Sequence, residues 1–182
     1  MHFRIRGLPA EQFAPLFALS DAALAQRGAV RRIADAREPG YPCRVSLTDS
    51  QPGDELILMN YEHHAVASPY RMRFAIFVRK GEETFDAIDQ VPEQLRKRTL
   101  AVRAFDADGM LIGFELVERE ALAEHGSIAR PHPAPDQIQG GRASDRGPLE
   151  RAIERQFADP RAAYLHLHFA APGCYAACVE RV

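Results

Sequence analysis

Residues 163–179 read AYLHLHFAAPGCYAACV, and the periodicity of this stretch decides what kind of fold the chain forms. Tyr164, His166 and His168 alternate with Leu165, Leu167 and Phe169. Alternate side chains of a β-strand point to opposite faces, so this two-residue period predicts a strand with one apolar and one polar side. The apolar side faces the core. The histidine side faces either solvent or the floor of a pocket. Pro172-Gly173 then marks a turn, and a second run from Tyr175 to Val179 predicts a closing hairpin strand.

The register of that hairpin stays open. A three-residue loop, Ala171 to Gly173, pairs His168 with Ala176 and His166 with Cys178, which puts His166, His168, Cys174 and Cys178 on one face. A two-residue loop shifts the pairing by one and sends both cysteines to the other face. Pro-Gly suits neither loop well, since it favours a type II turn that splays two-residue hairpins. Two imidazoles two residues apart can converge on one divalent metal ion, but two ligands do not complete a site, and His-x-His-x₅-Cys-x₃-Cys matches no common zinc spacing. The plain alternative is a hydrated or hydrogen-bonded strand face.

Moving outward, Leu149, Ile153 and Phe157 recur every four residues and predict an amphipathic helix that stops near Asp159-Pro160. The preceding Ser127–Pro148 segment is rich in Pro and Gly and reads as a mobile surface loop. Leu100 to Val117 holds two apolar runs around Asp106-Ala107-Asp108-Gly109, a hairpin signal. The Asp-x-Asp pair there is not a calcium loop, because Met110 and Leu111 stand where an oxygen ligand and a glycine are needed. Glu55–Tyr61 and Arg73–Lys80 are apolar on both faces and read as central strands. Phe3 and Ile5 alternate with Arg4 and Arg6, a half-buried strand. Two short helices follow, one opened by Pro9 and one capped by Ser20 that ends at Gly28. The chain is therefore expected to be α+β: a single domain over residues 1–182, mainly antiparallel sheet, with two short N-terminal helices and one amphipathic helix before the last two strands.

A second polar cluster runs from Tyr41 to Phe74 and includes Arg44, Asn60, His63, His64, Arg71 and Arg73 around the end of a buried strand. An arginine pair with a histidine can hold a carboxylate or phosphate through paired hydrogen bonds. The plainer reading is a polar loop with ordinary ion pairs. If the strand continues, His63 and His64 face opposite ways, so only one of them serves a site. Cys43 and Cys174 are nucleophiles only if a nearby cation or imidazole activates them; an inert core thiol is the commoner case.

Totals exclude more than they assign. A net charge of −2 argues against nucleic-acid or membrane-surface binding. No apolar run approaches the roughly 18 residues of a membrane span, and MHFRIRGLPAEQF lacks the apolar core of a secretory signal. The odd count of 3 cysteines fits reduced thiols, hence a cytoplasmic location. No Gly-x-Ser-x-Gly elbow, phosphate-binding loop or dinucleotide fingerprint is present.

The stretches FRIRGLP, GYPCRVSLTDSQPGDELILMNYEH, SPYRMRFAIFVR, FDADGML and YLHLHFAAPGCYA together resemble the domain of unknown function 1203 family of bacterial proteins, nearly end to end. The resemblance implies a single compact bacterial domain and supplies no activity. Its terminal pattern, His-x-His-Asn-Ala followed by Gly-Cys, fits His166, His168, Ala170, Gly173 and Cys174, with Phe169 in place of the asparagine. Arginine is usual where Cys178 stands, which counts against Cys178 as a ligand.

Two functional readings remain. In the first, His166, His168, Cys174 and His63 supply general-base or metal-assisted chemistry, or sensing, in a small-molecule pocket. Arg44, Asn60, Arg71, Arg73 and Tyr164 bind an anionic ligand there, and His166 and His168 are the metal ligands if a divalent ion is used. In the second, the chain is a non-catalytic interaction module, a homodimer among the options. Whether it is an enzyme is left open by the sequence.

Overall fold

The computed structural model describes residues 1–36, 40–120 and 146–182. Most of the segment read as a surface loop, residues 127–145, lies outside the described residues. The strands form two antiparallel sheets rather than one. The larger holds β1 (Phe3–Arg6), β5 (Asp86–Ile88), β6 (Leu100–Phe105), β7 (Leu111–Val117), β8 (Tyr164–Phe169) and β9 (Tyr175–Arg181), in the order β5-β1-β9-β8-β6-β7. The smaller holds β2 (Ala29–Ile33), β3 (Glu55–His64) and β4 (Met72–Arg79), with β3 central. With short helices besides, the architecture is the expected α+β, mostly sheet.

One face of the large sheet is covered by α3 (Pro148–Phe157), whose Leu149, Ile153 and Phe157 bury against Leu100, Val102, Leu165, Leu167 and Phe169. Each such side chain contributes about 1.5–3 kcal/mol of burial. Proline at the first helical position suits its missing N–H and fixed φ. In β1, Phe3 and Ile5 are buried and the arginines between them are not, as their alternation predicts. The β6–β7 hairpin turns at Gly109, whose φ of +75° favours glycine, and the Asp106 carboxylate accepts from the Asp108 and Met110 N–H groups at 3.0 and 2.9 Å.

Several expectations need correction. β4 is an edge strand, not a central one: Arg73, Phe74 and Ala75 are exposed, and only its far half is covered, where Cys43 pairs with Phe77. Its two apolar faces arise because Ile76 and Val78 enter one core while Phe77 packs under Tyr41. The segment read as a helix after Pro9 is two 3-10 turns, Ala10–Gln12 and Ala14–Ala18, with Pro15 in the second. The helix capped by Ser20, α1, is short, Asp21–Ala25. A further one, α2 (Glu93–Arg96), and the three-residue β5 are too brief to leave a periodic signal.

The two sheets are joined through the Tyr41–Val45 segment. Leu8 N–H donates to the Arg44 carbonyl at 2.8 Å, and Arg44 N–H donates to the Phe77 carbonyl at 3.0 Å. Backbones come so close here that a Cβ on Gly7 would sit 2.0 Å from the Val45 oxygen. The far end of β3 then lies across β8, which is why β8 is buried on both faces.

Candidate functional site

The histidine side of β8 meets the end of β3, which covers it. His166 is 5% exposed and His168 1%. The ring of His63 stands 6.0 Å from that of His166 and 5.3 Å from that of His168, centroid to centroid. One nitrogen of each of the three lies within 4.8 Å of the others. Small side-chain rotations would bring such a triad onto one ion at the Zn–N distance of about 2.0–2.1 Å.

A β-bulge in β3 builds this convergence, and a second in β9 accompanies it. In β3 the pairing shifts between Tyr61 and His64, so His63 and His64 both reach the cluster although they are adjacent. In β9 the pairing shifts between the partners of Leu167 and His168. His166 stays opposite Cys178, as a three-residue loop predicts, but His168 lies opposite Tyr175 rather than Ala176. The loop lengthens to four residues, Ala170 to Gly173, closed where Phe169 N–H donates to the Cys174 carbonyl at 2.9 Å. Cys174 thereby joins Phe169 in the core under α3, away from the histidines.

The hydrogen bonding is incomplete. Both nitrogens of His63, Nδ1 of His166 and Nε2 of His168 are buried without a partner among the described residues. His168 Nδ1–H donates to the Gly173 carbonyl at 3.1 Å, which leaves its Nε2 lone pair free. An imidazole held this way by a backbone carbonyl is the usual arrangement of a metal ligand. Burial, before any neighbouring charge, pushes the imidazoles down: His63 to about 4, His168 to about 3 and His166 to about 2. All three are neutral and carry lone pairs at ordinary pH.

The fourth imidazole differs. His64 Nδ1–H donates to the Tyr70 carbonyl at 2.7 Å, and Tyr164 O–H donates to His64 Nε2 at 2.7 Å. Both nitrogens are occupied, so His64 and Tyr164 hold the wall of the cluster together with Phe105, which packs on both rings. Tyr175 stacks on His63 at 4.8 Å. Arg103, opposite His166 in the β6–β8 ladder, forms no ion pair among the described residues; Nη1 approaches only Met72 Sδ, at 3.5 Å. Burial holds its guanidinium below the usual range.

The remaining residues singled out by the sequence do not gather here. Arg71 forms a two-toothed ion pair with Glu62 at 2.6 and 3.0 Å and is exposed, as are Asn60 and Arg73. Arg44 is 2% exposed and contacts Cys174 instead. Sequence reasoning missed Tyr175 and Arg103, and it admitted only one of His63 and His64 to a site. Strand alternation would have found Arg103 once β6 was paired with β8. Tyr175 depends on the hairpin register and His64 on the β3 bulge, neither of which a single strand reveals.

A two-sheet α+β protein with a buried, under-bonded imidazole triad is thus the class that fold and site define. The chain belongs to the family of proteins of unknown function DUF1203, whose model matches residues 40–129 and 120–181. Neither a curated protein nor a solved structure shows a significant match. Among the described residues no helix is long and apolar enough to cross a membrane.

Proposed function

We propose that the protein binds one divalent transition-metal ion through His63, His166 and His168, and that the metal's open position takes a small anionic ligand. The carrying observation is the convergence of buried imidazole nitrogens that lack hydrogen-bond partners. Buried polar groups are normally satisfied, and an unmet one costs about 1–3 kcal/mol. A bound ion removes that cost for several groups at once. Imidazole nitrogen suits Zn²⁺, Co²⁺ or Ni²⁺ better than Ca²⁺ or Mg²⁺, which prefer oxygen. Three protein ligands with a vacant fourth position are the arrangement of exchangeable rather than purely structural zinc. His63, only partly buried, marks the approach from solvent, and Arg103 supplies a cation that has no carboxylate partner among the described residues.

The test begins with untagged protein stripped by chelator and titrated with Co²⁺. One equivalent should bind and give the visible bands of a four-coordinate ion. Azide or phosphate should then shift those bands, and less so in Arg103→Met. Alanine at His63, His166 or His168 should weaken binding at least about 100-fold, as loss of a direct ligand exceeds the 10–100-fold typical of outer-shell changes. Absence of stoichiometric binding to folded wild-type protein would overturn the reading.

The second reading, an interaction module, is favoured by β7, an edge strand with Phe114 73% and Leu116 64% exposed. Light scattering after size exclusion tests it: a monomer at all concentrations counts against a homodimer.

A further inference from the structure

The tip of the β8–β9 hairpin carries a second constellation, independent of the histidines. A cavity of about 430 Å³ opens there, with Lys97, Arg98 and Arg119 on its walls, Phe169 and Pro172 as apolar surface, and Cys174 lining it. The guanidinium of Arg44 lies behind Cys174. Its Nη2–H donates to Cys174 Sγ at 3.0 Å, Nε–H donates to the Tyr175 carbonyl at 2.9 Å, and Nη1 donates to the Pro42 carbonyl. Arg44 and Arg98 both lie over the Phe169 ring, at 5.1 and 5.4 Å from its centroid.

The charges do not balance in the ordinary way. Lys97 pairs with Glu93, Arg98 pairs with Asp49, and Glu118 accepts from the Thr99 hydroxyl. Arg44 and Arg119 have no carboxylate partner among the described residues. For exposed Arg119 that is unremarkable. Arg44 is 2% exposed, and a buried cation bonded only to neutral acceptors costs several kcal/mol unless an anion stands nearby. Burial lowers its proton affinity, and the Cys174 sulfur is the neighbour that most opposes this. Negative charge that develops on that sulfur during attack on an electrophile therefore meets a guanidinium already in place.

The other two cysteines differ in position: Cys43 is fully buried, Cys178 is partly exposed, and neither lines the cavity. We propose that the hairpin-tip cleft binds small carboxylate anions and presents Cys174 as the nucleophile to those that carry an electrophilic carbon. In such a step the sulfur–carbon bond forms, the carbon–leaving-group bond breaks with its electron pair, and the thiol proton passes to solvent.

The probe is iodoacetate in competition with neutral iodoacetamide, on folded protein and on protein in denaturant, read by peptide mass spectrometry. In folded protein Cys174 should be alkylated faster than Cys43 and Cys178. Its preference for iodoacetate over iodoacetamide should exceed the denatured-chain ratio by about tenfold, the size of a local electrostatic concentration effect. Arg119→Ala, at an exposed position, should lower that preference several-fold without affecting folding. Arg44→Lys should keep the charge and part of the preference. If native Cys174 reacts no faster than Cys43 and Cys178, or if the reagent ratio equals that of the denatured chain, the proposal falls. Neither outcome bears on the histidine triad, whose metal titration is read separately.

Discussion

The two faces of β8 are equally buried and chemically opposite. On one, Leu165, Leu167 and Phe169 pack beneath α3 and need nothing more. On the other, His166 and His168 sit beneath β3, each with one buried nitrogen that has no partner among the described residues. A folding optimum would fill both faces with apolar side chains, since burying an unmet polar group opposes folding. The comparison teaches that stability is assigned to one side of the strand and given up on the other. Such a local conflict is expected where a protein holds a ligand.

The comparison can be broken first with acid. His166 and His168 have folded-state values near 2 and 3 against about 6.5 in the unfolded chain. Being depressed on folding, they contribute stability that is present above about pH 6.5 and lost as pH falls towards their folded values. Each binds a proton only in the unfolded state in that window, a slope of about 1.4 kcal/mol per pH unit per group. In metal-free protein these two groups alone should thus remove about 5 kcal/mol between pH 6 and pH 4 in denaturant melts, with His63 adding to the loss. A flat profile would contradict the burial of the pair. On the apolar face, Leu167→Ala should cost about 2–5 kcal/mol at neutral pH whether or not metal is added. Tyr164→Phe strands the Nε2 of His64 and should cost about 1–3 kcal/mol while one metal equivalent still binds. The smallest effect sharpens the contrast most. His166→Leu should change metal-free stability by less than about 1 kcal/mol, and in the stabilising direction, because no partner is left unpaired. It should also abolish metal binding and reduce the acid slope by one proton. A loss as large as that of Leu167→Ala would make His166 an ordinary core residue.

How much of this was legible depended on whether one strand's own pattern sufficed. Alternation placed Tyr164, His166 and His168 on one side, and Phe3 and Ile5 on the inner side of β1, because side-chain direction follows from a single strand. The Asp106–Gly109 turn was legible for the same local reason. Bulges and registers are relations between two strands, so the approach of His63 and His64 together, the placing of Tyr175 over His63 and the departure of Cys174 left no mark in the sequence. The edge position of β4 was hidden likewise, since a short irregular segment at Cys43 covers it as a strand would. Arg44 was noticed as an anion binder for the cluster. Its side chain runs the other way, to Cys174, because its backbone is shared between Leu8 and Phe77.

The extra residue of β9, Ala176, has a further consequence. Counting from Phe169 opposite Cys174 to His166 opposite Cys178, a chain lacking Ala176 would pair without interruption and leave every side chain on its present face. Which groups meet is therefore independent of that alanine; what it governs is the local bend and coil of the ribbon. Curvature and composition are separable variables in this hairpin, and trimming one methyl-bearing position would straighten the ribbon without rewriting either chemistry.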